Sequence, residues 1–138
     1  GVILGSAEYH AGTIIGNVNK GTVGDEFFTG SAGGIIGYGT SAGVRVENNY
    51  NLGRLLYAQG NYIGGIAGDL MSACVKNSFS YYLDENSKAP FGILGTGSNG
   101  TVTDSFYLSD KTVSEFKGFA KSADAFKYGE VLYYINGA

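Results

Sequence analysis

One short glycine-rich phrase recurs along the chain and restricts the folds open to it more than any other feature. Its copies read VILG, GGIIG, GGIAG and FGILG, and they end at Gly5, Gly37, Gly68 and Gly95. An isoleucine stands two positions before each of these glycines. A period of about 30 residues is typical of folds in which one supersecondary unit stacks on the next.

A second phrase follows each copy of the first, and it reads IIGNVNKG, VENNYNLG, VKNSFSYY and VTDSFYLS. Aligned, these phrases form three columns, each two residues after the one before. The columns are Ile14, Val46, Val75 and Val102, then Gly16, Asn48, Asn77 and Asp104, then Val18, Tyr50, Phe79 and Phe106. Side chains two residues apart share one face of a strand. The pattern therefore predicts a strand with these columns inward and the residues between them, such as Asn49 and Asn51, outward.

One such unit cannot cover its own apolar face, so the copies are expected to stack, isoleucine on isoleucine and aromatic on aromatic. We expect the recurring glycines at corners, where a positive φ or close backbone approach is required. Asn48, Asn77 and Asp104 should form a polar ladder from copy to copy. The pattern predicts a mainly β chain folded as a β-solenoid, a right-handed parallel β-helix of about four short repeats. An antiparallel sandwich or barrel built from the same repeats is the alternative.

The glycine rhythm stops near residue 109, and residues 110–138 have helical spacing instead. The helical signals are a capping box from Thr112 to Glu115, a helix start at Ser122 or Asp124, and an apolar face of Val131, Leu132 and Ile135 before Asn136-Gly137. Stacked repeats expose apolar side chains and strand edges at their end. We therefore predict that residues 110–138 cap the repeats of residues 1–109 within one structural domain. The first copy has no cap before it, so we expect further repeats or another domain of the parent chain on that side.

The phrases GGIIG and GGIAG, followed by VENNYNLG and VKNSFSYY, resemble GLUG-motif repeats. These Gly-rich modules occur in bacterial surface proteins, including non-catalytic parts of IgA-protease-like metallopeptidases. The segment KTVSEFKGFAKSADAFKYGEVLYYINGA is similar to the segment that often closes such arrays. The family often has a cysteine after the motif's asparagine, where this chain has Asn49 and Ser78. The resemblance implies an extracellular, adhesin-like module at a bacterial cell surface, and it supplies no catalytic residues.

Charge and composition argue against several partners. The net charge is −3 and the isoelectric point is near 5.0, so no basic surface for nucleic acid is expected. No apolar run approaches the ~20 residues that a spanning helix needs. The single cysteine, Cys74, stands on a predicted strand without a second cysteine or a nearby histidine. It is expected to be a buried structural thiol, with no metal or cofactor bound.

Two matches to catalytic or nucleotide-binding motifs are interpreted as turns. GTSAG places Ser41 in a formal nucleophile elbow, but an elbow needs a following helix, and the next residues alternate like a strand. His10, the one histidine, lies in the most degenerate repeat. GTGSNG, residues 95–100, matches a dinucleotide fingerprint, but it also precedes a predicted strand. The sequence therefore predicts no catalytic serine and no nucleotide site.

Carboxylates leave open a carbohydrate-active enzyme, because parallel β-helices often carry polysaccharide-degrading sites with clustered acids. The acids in the middle repeats are Asp69, Asp84, Glu85 and Asp104. They occupy different phases of the repeat, so convergence on one groove is not expected. This interpretation is therefore weaker than an adhesion or spacer module and weaker than an accessory domain of a secreted hydrolase.

Tyrosine content is the feature that best fits ligand binding. Tyr57, Tyr62, Tyr81 and Tyr82 lie outside the predicted core columns or at strand ends, as does Tyr107. Tyrosine gives rigid contact area that stacks on sugar faces or on peptide. The alternative role for these side chains is to guard sheet edges. We predict a non-enzymatic adhesion or spacer module for glycan or protein ligands, with an accessory substrate-positioning domain of a secreted hydrolase as the alternative.

Overall fold

The computed structural model describes residues 4–7, 12–24, 30–39, 43–56, 62–81, 92–96, 100–109 and 118–136. Within these ranges the chain is mainly β, with two short helices near its C-terminal end. The strands are β1 (Leu4–Ala7), β2 (Gly12–Ile15), β3 (Val18–Asn19), β4 (Ser31–Gly33), β5 (Ile36–Gly39), β6 (Val44–Glu47), β7 (Tyr50–Asn51), β8 (Tyr62–Gly64), β9 (Ala67–Leu70), β10 (Cys74–Lys76), β11 (Phe79–Ser80), β12 (Leu94–Thr96), β13 (Thr101–Thr103), β14 (Phe106–Leu108) and β15 (Phe119–Lys121). The helices are α1 (Ala123–Lys127) and α2 (Glu130–Ile135).

Matching strands of successive repeats pair with one another, and every described pair of strands is parallel. The sheets have the orders β1-β5-β9-β12, β13-β10-β6-β2, β15-β14-β11-β7-β3 and β4-β8. Ile14, Val46, Val75 and Val102 stand in one cross-strand row, as their column predicts. Stacked parallel sheets of this kind are consistent with a β-helix. They are inconsistent with an antiparallel sandwich or barrel.

The main core lies on the inner side of the sheets and contains the predicted isoleucines. Ile35, Ile66 and Ile93 are fully buried, and Val46 and Val75 pack beside them. Ile3, the fourth member of the isoleucine column, lies outside the described residues. Tyr107 also belongs to this core and is buried. Its predicted position outside the core is therefore wrong.

The predicted polar ladder is displaced by one residue. Asn48, Asn77 and Asp104 adopt the left-handed conformation, with φ of 55°, 48° and 45°, and Gly16 occupies the equivalent place with φ of 72°. A single left-handed residue interrupts the alternation of a strand. The side chain after it faces inward, so the strict two-residue spacing does not continue past it. Asp104 is exposed rather than inward.

The inward polar positions are those after each left-handed residue. Asn49, Ser78 and Ser105 are completely buried there. The backbone N–H of Asn49 donates to Ser78 Oγ at 3.2 Å, and the N–H of Ser78 donates to Ser105 Oγ at 3.2 Å. A second buried row follows two residues later, in which Asn51 Nδ2 donates to Ser80 Oγ at 3.2 Å. The sequence-based expectation that Asn49 and Asn51 face outward is wrong.

The aromatic column is displaced away from the main core for the same reason. Tyr50 and Phe79 are half-buried outside the main core, and their rings stack at 4.4 Å between centroids. Phe106 follows Phe79 in register and belongs to a separate cluster with the helices. The expectation that these aromatics fill the central core is therefore corrected. They form an outer layer that the C-terminal segment partly covers.

Two of the recurring glycines, Gly68 and Gly95, permit close backbone approach rather than a positive φ. A Cβ on Gly68 would lie 2.6 Å from the backbone nitrogen of Ala32, and one on Gly95 would lie 2.7 Å from Ile63 N. These neighbours are in β4 and β8, so the two-stranded sheet packs directly against the outer side of β9 and β12. This second layer closes over a small apolar cluster of Val23, Ala32, Leu55 and Ile63.

The C-terminal segment packs on the outer aromatic column. Ser122 begins α1 as predicted, and its Oγ accepts a hydrogen bond from the N–H of Ala125 at 3.3 Å. Val131 and Ile135 are buried against Phe106. Leu132 is 52% exposed, so its predicted inward position is wrong. The capping box from Thr112 to Glu115 lies outside the described residues.

A short strand also joins this segment to the sheets, because β15 pairs with β14. The described C-terminal segment is therefore part of the β structure as well as helical. Neither of the two described helices is long and apolar enough to cross a membrane.

Candidate functional site

The predicted tyrosines divide into two described and two undescribed positions. Tyr57 and Tyr82 lie outside the described residues. Tyr62 is 44% exposed at the start of β8, and Tyr81 is 42% exposed just after β11. Tyr62 stands beside Ser31 in the two-stranded sheet, whereas Tyr81 continues the five-stranded sheet. The structure therefore does not bring these two rings together on one sheet.

Tyr81 belongs to an apolar surface that the sequence did not predict. Its backbone N–H donates to Asn51 O at 2.8 Å, and the N–H of Leu52 donates to Asn19 O at 2.8 Å in the same way. Leu52 and Tyr81 are thus equivalent residues of neighbouring repeats, and both are exposed. Phe126 of α1 borders this surface, because its ring lies 5.1 Å from that of Tyr81.

We call Val18, Tyr50, Leu52 and Tyr81 the outer face. Val18 and Tyr50 are paired neighbours in β3 and β7, and Val18 is exposed. The helices cover the continuation of this surface over Phe79 and Phe106 but leave these four residues at least partly accessible. The sequence signal was present. Short hydrogen-bonding side chains at 49, 51, 78 and 80 are what a buried ladder needs, and their inward placement turns 50, 52, 79 and 81 outward.

Hydrogen bonds of the buried Asn51 side chain fix the backbone beneath the outer face. Asn51 Oδ1 accepts from Asn19 Nδ2 at 2.9 Å and from the N–H of Gly53 at 3.1 Å. These buried bonds lie directly between half-buried Tyr50 and exposed Leu52. Exposed side chains on such a fixed backbone form a preorganised contact surface, which lowers the entropic cost of binding.

The candidate acids do not form a pair among the described residues. Asp69 is half-buried on β9, with Tyr38 and Thr96 as its cross-strand neighbours. Burial raises the pKa of its carboxyl group, and its Oδ1 is buried without a hydrogen-bond partner among the described residues. Asp104 is exposed at the end of β13 in a different sheet. Asp84 and Glu85 lie outside the described residues. The described acids therefore do not converge as glycoside hydrolysis requires.

The structure gives no sign of a catalytic, nucleotide-binding or metal site at the other described motif residues. Ser41 and His10 lie outside the described residues, and the element after Ser41 is strand β6 rather than a helix. Strand β13 likewise follows the GTGSNG segment. Cys74 is half-buried rather than buried, because Val75 takes the inward position of β10. Within the described part of the chain, no group of three His, Cys, Asp or Glu side chains could hold a metal ion.

A second exposed apolar surface lies at the C-terminal end. Phe119 on β15 and Tyr134 on α2 both contact Phe106, with ring centroids at 5.9 and 5.8 Å. Tyr133 contacts Tyr134 at 5.6 Å. Phe119 and Tyr134 cover buried Phe106, and both of these rings, like that of Tyr133, are exposed.

Comparisons of this chain with known proteins found no relatives. A scan against protein-family models, a search of curated proteins and a search of solved structures each found no match.

Proposed function

We propose that this chain is a non-enzymatic binding module of a bacterial cell surface, folded as a right-handed parallel β-helix of about four short repeats. The parallel pairing of matching strands supports the coil, and crossovers between parallel strands are right-handed in nearly all folds. The resemblance to GLUG-motif repeats supports the extracellular location. The module presents a rigid, repetitive β surface to glycan or protein ligands.

The observation that carries this proposal is the exposed outer face. Leu52 and Tyr81 project from equivalent positions of adjacent repeats, beside half-buried Tyr50. Parallel strands lie about 4.8 Å apart, so these side chains form a regular row. Such a row suits an extended ligand, since each repeat can contact the next segment of a glycan or peptide. Tyr81 supplies both a ring face and a hydroxyl group.

Tyr62 provides the matched comparison for Tyr81. The two rings have nearly equal exposure, 44% and 42%, but Tyr62 lies on a different sheet with Ser31 as its described cross-strand neighbour. If ring exposure alone governed binding, both positions would contribute equally. The proposal assigns the contact to Tyr81, because Leu52 and Tyr50 extend the surface there.

A screen of the purified chain against a glycan array, mucins and matrix proteins tests the proposal. We expect binding to at least one immobilised ligand class, with loss of binding in Tyr81→Ser and retention in Tyr62→Ser. Binding to array glycans would identify a glycan ligand, and binding to matrix proteins would identify a protein ligand. Absence of binding on every surface, with the chain folded by circular dichroism, would overturn the proposal.

A further inference from the structure

Helix α2 is apolar on its outward side as well as on its buried side. Val131 and Ile135 pack against the aromatic layer, whereas Leu132, Tyr133 and Tyr134 are exposed. A helix on the surface of a single domain normally carries polar residues on its outward arc. Glu130 is the only charged residue of α2. The outward arc therefore has the composition of an interface.

The exposed apolar surface extends beyond α2. Phe119 on β15 shares Phe106 with Tyr134, and Tyr128 is exposed at the C-cap of α1, one residue before the N-cap of α2. We call Phe119, Tyr128, Leu132, Tyr133 and Tyr134 the C-terminal patch. Tyr134 contacts Tyr133, and both Tyr134 and Phe119 contact Phe106. This part of the patch therefore lies directly on the buried Phe106 ring.

The area of the patch is suited to a protein interface. Its five side chains are between 43% and 73% exposed. With about 200 Å² for each large side chain, the accessible apolar area is roughly 500 Å². That value is at the upper end of the largest patches on monomers, about 300–600 Å². A standard interface buries about 800 Å² per partner, a little over half of it apolar, and the patch would supply that share.

The described charged residues near the patch are balanced in sign. Lys121 forms an ion pair with Glu130, and its ammonium lies 5.0 Å from the centre of the Tyr134 ring. Lys127 lies 5.0 Å from the centre of the Tyr128 ring, and Asp124 is exposed in the first turn of α1. A rim whose described residues carry two charges of each sign can face a copy of itself without accumulating like charges. A strongly acidic or basic partner would instead favour a rim of one sign.

From these observations we propose that a second copy of this chain docks on the C-terminal patch and forms an isologous, twofold dimer. In a twofold interface each tyrosine meets the same surface that it belongs to, so one apolar patch covers another. This inference goes beyond the proposed ligand binding. It uses the exterior of α2 and leaves Leu52 and Tyr81 outside the interface.

Sedimentation equilibrium of the purified chain over about 1–200 µM measures this association, a range in which a micromolar dimer dissociates. We expect a mass approaching twice 14.4 kDa at the upper end. Tyr133→Glu and, independently, Leu132→Lys should keep the chain monomeric, because each places a charge in the apolar centre of the patch. Tyr62→Glu introduces the same charge at an exposed ring elsewhere and should leave the dimer intact.

Val18→Lys tests association through β3, the edge strand of the five-stranded sheet. We expect this variant to dimerise like the wild type. Circular dichroism confirms that each variant is folded. A monomeric wild type throughout the range, or dissociation by Val18→Lys with none by Tyr133→Glu and Leu132→Lys, would overturn the proposal.

Discussion

Asn49 Oδ1 accepts two hydrogen bonds from Asn17, one from its backbone N–H and one from its side-chain amide, each 3.0 Å long. The Nδ2 of Asn49 donates in turn to Ile14 O at 2.7 Å and to Glu47 O at 3.0 Å. One buried side chain thus joins two repeats where the left-handed residue Asn48 interrupts the strand. It provides hydrogen bonds to backbone groups that a regular ladder would otherwise satisfy.

Replacement of Asn49 by Ala should therefore destabilise the fold strongly. The change leaves partly buried backbone groups of Asn17 and Ile14 without these partners, and we expect a loss of about 2–4 kcal/mol in the free energy of unfolding. Urea denaturation followed by circular dichroism measures this loss. Asn136→Ala, at an exposed position, is the control and should cost less than about 0.5 kcal/mol. Equal effects of the two substitutions would contradict the buried ladder.

The left-handed residues should tolerate glycine and reject β-branched side chains. Asn77 has a φ of 48°, and Gly16 already occupies the equivalent position in the first repeat. We expect Asn77→Gly to change stability by less than about 1 kcal/mol, while Asn77→Val costs about 1–2 kcal/mol more. Thermal unfolding of both variants decides the matter. Similar midpoints for the two would mean that residue 77 is not left-handed.

Close packing of the two β layers predicts a sharp contrast between two glycines. A Cβ on Gly68 would lie 2.6 Å from Gly37 O and from Ala32 N, and both of these are backbone atoms that cannot rotate away. Gly68→Ala should cost at least about 3 kcal/mol or prevent folding, because overpacking at fixed backbone is poorly relieved. No atom of the described residues lies within 4 Å of a Cβ on Gly12, so Gly12→Ala should be neutral or slightly stabilising. The yield of soluble protein and the unfolding midpoint report the difference. A well-folded Gly68→Ala variant would refute the layer contact.

Asp69 should make stability depend on pH. Burial raises the pKa of its carboxyl group above 3.8, its ordinary value. Below the unfolded-state pKa the group is protonated in both states. As pH rises through the higher folded-state pKa, the folded chain must ionise a half-buried carboxyl group and loses stability. Asp69→Asn mimics the protonated form, so its melting temperature should exceed that of the wild type at about pH 7 and converge with it near pH 3.

Asp104→Asn serves as the control for Asp69→Asn, since it removes the same charge from an exposed position. The difference between the Asp69→Asn and Asp104→Asn melting curves isolates the contribution of burial. A lower melting temperature for Asp69→Asn than for Asp104→Asn at about pH 7 would contradict the desolvated carboxylate.

Periodicity predicted the inner half of the structure well. The isoleucine column and the row through Val46 and Val75 follow directly from spacing, because hydrophobic burial fixes which residues stack. Strand spacing could not reveal the left-handed residues. Asn and Asp are compatible with a strand end as well as with a positive φ, and the choice depends on contacts between repeats. One such residue in each repeat displaced the polar ladder and turned Tyr50 and Phe79 away from the main core.

The candidate surface was only partly predictable for the same reason. Tyr81 was recognised from its position at a strand end, but Leu52 and Phe126 were not, because their proximity arises from stacking and from the position of α1. Leu132 was assigned to the buried helical face. In the structure, the buried side of α2 consists of Val131 and Ile135, which pack on Phe106, and Leu132 is exposed. Helical spacing alone does not distinguish an apolar residue in the core from one at an interface.

The comparison of Tyr81→Ser with Tyr62→Ser in ligand binding tests the central claim most directly. With a ligand identified by the screen, titration should show affinity at least about tenfold weaker for Tyr81→Ser, a loss of about 1.4 kcal/mol or more. Tyr62→Ser, altered at a ring of similar exposure, should bind like the wild type. Loss of binding in Tyr62→Ser with full binding in Tyr81→Ser would show that the outer face is not the ligand surface.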